Sequence, residues 1–239
     1  DILGRESLVH AKFAEIQAYW DGRRDEVVAH YKRDIVDLTL ALEMDLVTTY
    51  VVPPKDYHPR PMERIDEKTY KDEAGRYYQV SSITHDLMAI PINTSFIQRN
   101  VGVEEVQSLI DQERENAKRL YQPEDSRYEV VHHTVEALGE THFVIMPCNG
   151  LEWPRFGETE EEGWMNLVLY PEVCAKIAEL QGIQMIREVH LAAELGVDGI
   201  LTVGDLGSST NLAASPGIYR EMIYPWQKAQ AQEAHRLGL

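Results

Sequence analysis

"VDGILTVGDLGSSTNLAASPGIYREMIYPW", residues 197–226, runs an apolar segment into an abrupt polar loop and then into a Ser-Pro helix start. Val197 to Val203 reads as a buried strand. A plain core strand has no need of the loop Gly204-Asp205-Leu206-Gly207-Ser208-Ser209 that follows it. A strand that delivers a carboxylate to a pocket does. Asp205 is flanked by Gly204 and Gly207, which let backbone approach a ligand closely. Its functional reading is a carboxylate that binds or polarises substrate, or stabilises developing positive charge. Its other reading is an Asx-turn or a cap for the next helix. Ser215 is an N-cap candidate, with Pro216 at the first helical position. Pro225 divides or kinks the helical stretch that ends at Gly238.

Working outward, the same alternation recurs. Residues 6–42 carry a helical pattern, with Val28, Tyr31, Ile35, Leu38 and Leu42 at three- and four-residue steps. Leu46 to Val52 is a β-branched and apolar run that Pro53-Pro54 stops, as suits a strand buried on both faces. Residues 142–150 give a second such strand, stopped at Pro147 and Gly150. Pro171 opens a long helix that Gly196 ends, with Gly182 weakening it inside. Residues 101–121 read as a charged surface helix. "YEVVHHTVEAL" fits strand or helix. Residues 157–164, "GETEEEGW", read as an acidic solvated loop. Between these lies an excursion with a hairpin signal around Asp72-Glu73-Ala74-Gly75. Strand-then-helix alternation predicts an α/β fold with a parallel sheet. Ligands bind such sheets at the carboxyl ends of their strands. That places Asn149 and the loop residues Gly207, Ser208 and Ser209 as candidate substrate-binding residues, with Trp164 as a pocket wall.

Bulk composition narrows the partners. The formal net charge is −17, a field that repels nucleic acid and anionic membrane surfaces. Two cysteines, Cys148 and Cys174, are too few for a disulfide framework and predict a reducing, cytoplasmic setting. No apolar run reaches membrane-span length.

Other chemistry is thin. Cys148 could act as nucleophile or metal ligand, although a buried apolar role is the commoner one for a lone cysteine. His132-His133 would point to opposite faces of a strand. Residues 204–209 lack the Lys and Ser/Thr of a phosphate loop. No zinc-type spacing of His and Cys occurs, so no metal site is expected within these residues.

"LGVDGILTVGDLGSSTNLAASPGIYREMIYPWQKAQAQEAHRLG", residues 195–238, resembles the central signature of the uroporphyrinogen decarboxylase superfamily, which includes cobalamin-dependent methyltransferases. The shared pattern is a Gly-x-Asp strand, an Asp-x-Gly or Asp-x-x-Gly loop, a Ser-Pro helix start, then Pro plus an aromatic. "YKRDIVDLTLALEMDLVTTYVVPP" (31–54) and "YKDEAGRYY" (70–78) resemble the superfamily's early helix–strand unit and its small hairpin. The resemblance implies a TIM (β/α)8 barrel with its site at the C-terminal mouth and Asp205 as the catalytic carboxylate. It implies one barrel domain over 1–239 with a hairpin excursion near 66–82. Only about three parallel strands are legible where a barrel needs eight, so the chain reads as part of a longer one, its C-terminal strands absent.

The superfamily's methyltransferases use a His-x-Cys zinc site and a corrinoid protein. That motif is absent here, so the resemblance puts zinc outside these residues and leaves a corrinoid protein or a second copy as partner. The decarboxylases carry an Arg-Gln-Ala-Gly-Arg stretch and an Asp at an early strand end. This chain has no such stretch and reads "TYVVPP" at that strand. The expected activity is therefore corrinoid-linked methyl transfer first, uroporphyrinogen decarboxylation second, and a non-catalytic ligand- or corrinoid-protein-binding barrel third.

Overall fold

The computed structural model describes residues 2–90, 97, 99–118, 121–204, 206–207 and 210–239, without the Val203 side chain. The chain splits into two compact units, Asp1–Asn93 with Pro123–Val144, and Thr94–Gln122 with Ile145–Leu239.

In the first unit, the helical pattern of residues 6–42 breaks into α1 (Phe13–Trp20) and α2 (Arg24–Ala41). Gly22 divides them, at φ 71°, a conformation glycine adopts without penalty. The run after α2 gives only a short strand, β1 (Leu46–Thr48). The Pro53-Pro54 stretch is held from outside: buried Arg24 donates to the Pro53 carbonyl at 2.9 Å and to the Ser126 carbonyl at 3.0 Å. "YEVVHHTVEAL" is helical, as α4 (Glu129–Leu138). Val130, Val131 and Leu138 turn inward from it, while Val27, Val28 and Ile35 turn inward from α2. Inside, Thr49 donates to Thr134 Oγ1 at 3.1 Å, and Thr134 donates to the Val130 carbonyl at 2.9 Å.

The expected hairpin is larger than residues 66–82. Four strands, β2 (Glu63–Arg64), β3 (Thr69–Lys71), β4 (Tyr77–Val80) and β5 (Leu87–Ile90), form an antiparallel meander in sequence order. The Asp72–Gly75 turn sits where the sequence puts it. Asp72 accepts from the Arg76 N–H at 2.8 Å, and Gly75 takes φ 83°.

The second unit holds α3 (Val103–Ala117), then β6 (Phe143–Asn149, whose first two residues belong to the first unit), α5 (Glu160–Leu169), α6 (Pro171–Leu195) and β7 (Gly199–Val203). A short helix α7 (Pro216–Ile218), a π-turn (Tyr219–Ile223) and α8 (Tyr224–Leu237) close it. Pro147 lies inside β6, paired with Leu201, and does not stop it. The acidic stretch is solvated, but from Glu160 it is a helix and not a loop. Thr159 caps α5 by accepting the Glu162 N–H at 3.2 Å, and Glu160, Glu161 and Glu162 fill the first turn. Carboxylates there meet the positive end of the helix dipole.

β6 and β7 pair in parallel, Ile145 with Gly199 through Asn149 with Val203. The three-stranded sheet runs β1-β6-β7. This overturns the barrel. Among the described residues there are seven strands in two sheets, one of three and one of four, and no eightfold β/α repeat. The physical reason lies in residues 63–90. Strands joined by tight turns pair antiparallel, whereas a barrel strand must be reached by a crossover helix. The meander therefore adds nothing to a parallel sheet. No helix among the described residues is long and apolar enough to cross a membrane.

Packing in the second unit centres on α6. Val106 and Ile110 of α3 join Val173, Cys174, Ile177 and Met185 of α6 in one core with Met222 and Ile223. Two ion pairs tie α3 to α6, Arg187 to Glu113 and Arg114 to Glu179, each at 2.7 Å. Gly182 is not merely a weak point in the helix. A Cβ there would lie 2.2 Å from the Trp226 ring, so the glycine gives α8 its place against α6.

Gly182→Ala should cost about 1–3 kcal/mol through overpacking, despite the better helix propensity of alanine. The measurement is hydrogen exchange of α6 amides in increasing urea. Unchanged or greater protection would show that Trp226 does not need the gap.

Candidate functional site

Parallel β6 and β7 end level with each other, because Asn149 pairs with Val203. The chain leaves both strands on the same side and must there fold two loops together. Two contacts within the second unit join them, and two more brace the loop after β7. A Cβ on Gly204 would lie 2.7 Å from the Leu151 carbonyl, so backbone meets backbone where the sequence placed a close approach. The Trp153 indole Nε1 donates to the Leu206 carbonyl at 3.0 Å. The Ala213 N–H donates to that same carbonyl at 3.0 Å, and Gly207 bridges to Leu212. Leu206 thus spends both oxygen lone pairs on fixing the loop.

Asn149 stands exposed at the end of β6. Glu188, from α6, accepts its backbone N–H at 2.6 Å and its Nδ2 at 2.7 Å. Trp164 is partly buried on α5 and faces Arg155. The guanidinium of Arg155 lies 3.9 Å from the centre of the Trp164 ring, and Trp153 packs 6.3 Å from it, centre to centre. Arg155 is only 6% exposed. Burial lowers its pKa from the ordinary value, and Glu160, 3.6 Å away, opposes that.

Of the residues chosen from sequence, Asn149, Trp164 and Gly207 belong to this end of the second unit. Asp205, Ser208 and Ser209 lie outside the described residues. Trp153 is core, 2% exposed, and Trp226 packs on Gly182. Sequence reading missed Glu188 and Arg155. Arg155 sits between Pro154 and Phe156 in an aromatic stretch, a signal that could have marked it. Glu188 carries no local signal beyond its place on α6.

The resemblance implies zinc, and the cysteines present do not fit it. Cys148 and Cys174 are both buried. Burial, with a smaller push from Glu188 and Glu172 respectively, raises each thiol to about 12. Burial favours the neutral thiol at both positions. Among the described residues no group of three His, Cys, Asp or Glu side chains could hold an ion. No step below is routed through zinc.

The first unit has a cleft of about 360 Å³ walled by Leu8, Trp20, His30 and Pro61. Of its acids, Asp21 and Glu26 are engaged by Arg23, at 3.3 and 3.1 Å, and Glu6 also lines it. No protein-family model matches the chain, and neither does any curated protein or solved structure.

Trp153→Phe keeps an aromatic ring but removes the donor to Leu206. Exchange of the Ala213 amide should quicken about fivefold or more, the worth of one hydrogen bond of about 1 kcal/mol. An unchanged rate would show that the indole does not hold the loop.

Proposed function

We propose that the carboxyl ends of β6 and β7 form a small-molecule site that serves corrinoid-linked methyl transfer. One observation supports this above the rest. The loop that Trp153 and Ala213 fasten at Leu206 falls inside residues 195–238, the stretch that resembles the uroporphyrinogen decarboxylase superfamily. A polar loop held at the ends of parallel strands is where α/β proteins take ligands.

In this reading Asp205 is the acid–base group. It accepts the proton of the acceptor's thiol as sulfur bonds to the methyl carbon. A partner-borne corrinoid, when bound, would supply that methyl group and retain the electron pair of its broken bond to carbon. Gly207, Ser208 and Ser209 are the residues assigned to bind the acceptor, and Asn149 the residue assigned to orient it. Trp164 forms a wall whose far face Arg155 supports. A partner protein that carries the corrinoid suits a chain whose own polar loop is short. The remaining chemistry expected of a zinc-bound thiolate has no residues here.

The test is loss of the methyl–cobalt absorbance of methylcobalamin mixed with a simple thiol and the purified chain. The expected result is demethylation faster than in buffer, reduced about a hundredfold in Asp205→Asn. A rate equal to that in buffer would overturn the proposal. Carbon dioxide released from uroporphyrinogen, with no demethylation, would put decarboxylation in its place.

A further inference from the structure

We propose that Glu188 is a positioning residue for Asn149, and that the strand end it prepares takes a ligand through an N–H or O–H that the ligand donates. This rests on the reading that the strand ends are the site, and it adds what chemistry they select.

The argument starts with the level of the residues. Val203 lies four residues along β7 from Gly199, about 13 Å at strand rise. Glu188 lies seven residues back from the end of α6, about 10 Å at helix rise. α6 leads into β7 and so runs back alongside it, which brings Glu188 level with Val203 and with its partner Asn149. Glu188 then uses both oxygens on one residue. Oε2 accepts the Asn149 backbone N–H at 2.6 Å, and Oε1 accepts Nδ2 at 2.7 Å.

That geometry fixes the amide. An ionised carboxylate donates nothing, so only the nitrogen of Asn149 can face it. A flipped amide would set two oxygens 2.7 Å apart. Oδ1 therefore points away from Glu188, and it has no partner among the described residues. Asn149 is exposed at the strand end, and Oδ1 is its acceptor on the side away from Glu188. One Nδ2 hydrogen is spent on Glu188, and the amide's one acceptor, Oδ1, is held on the side away from that carboxylate. Bare anions find no attraction there, and Glu188 itself adds negative charge behind it. Ligands that carry an N–H or O–H do find one.

The probes are indole and benzofuran, rings of the same shape with an N–H in one and a bare oxygen in the other. Each is titrated into isotope-labelled chain and followed by amide shifts. The wild type should bind indole about tenfold more tightly, the worth of one hydrogen bond. Glu188→Gln keeps one acceptor oxygen for the backbone N–H but sets an amide nitrogen against Nδ2, which frees Asn149 to flip. The preference should fall toward unity while the unfolding temperature changes little, a split that a purely structural role would not give. Asn149→Ala removes the acceptor with Glu188 intact, should also lose the preference, and decides the matter should Glu188→Gln fail to fold. Equal affinity of both rings for the wild type, no binding of either, or a preference that survives in a folded Glu188→Gln or in Asn149→Ala would overturn the proposal. Methyl transfer can fail while the indole preference stands, so the two readings fail separately.

Discussion

The parallel pairing of β6 with β7 is the constraint from which the second unit follows. Parallel neighbours cannot be joined by a turn, so the chain must travel back along the sheet before β7 can begin. α5 and α6 make that journey, and the 25 residues of α6 are long enough to organise everything else. α3 locks onto α6 through Arg187–Glu113 and Arg114–Glu179. α8 lies against it through the gap at Gly182. The same register sets Asn149 beside Val203, and so brings Leu151 against Gly204 and Trp153 against Leu206. The site is a consequence of the pairing and not an addition to it.

The strand end also sorts its charged groups by depth. Arg155 is buried against Trp164, with Glu160 near enough to moderate the cost of its charge. Glu188 is half-buried and spends both oxygens on Asn149. An amide held in this way keeps its acceptor Oδ1 on one side, since turning it over would set Oδ1 against a carboxylate oxygen. The cysteines sit on the other side of that logic. Their thiols, raised to about 12, keep Cys148 and Cys174 as small apolar fillers.

Much of the second unit was legible in the sequence because its signals are local. Pro171 and Gly196 bracket α6, Ser215 caps the helix after the loop, and Gly204 marks a close approach. Where local signals ran out or misled, tertiary contact decided. "YEVVHHTVEAL" fits either period, and packing against α2 made it helical. Pro147 looked like a stop because a proline's missing donor is visible in sequence, whereas its pairing with Leu201 is not. The acidic run of 160–162 read as a loop because its value comes from a helix end that Thr159 creates. The barrel failed on the largest scale. A resemblance confined to strand, loop and helix carries no information on how many such units follow, and the meander of 63–90 adds none. Glu188 was invisible because its partner is 39 residues away.

The central claim is that ligand binds at the ends of β6 and β7. The most direct measurement is a map of backbone and indole N–H shifts in the labelled chain on addition of methylcobalamin. The account predicts that the largest changes fall on Asn149, Leu151, the Trp153 indole, Leu206 and Gly207. Changes gathered instead around Trp20 and His30 in the first unit's cleft, with the strand ends silent, would contradict it.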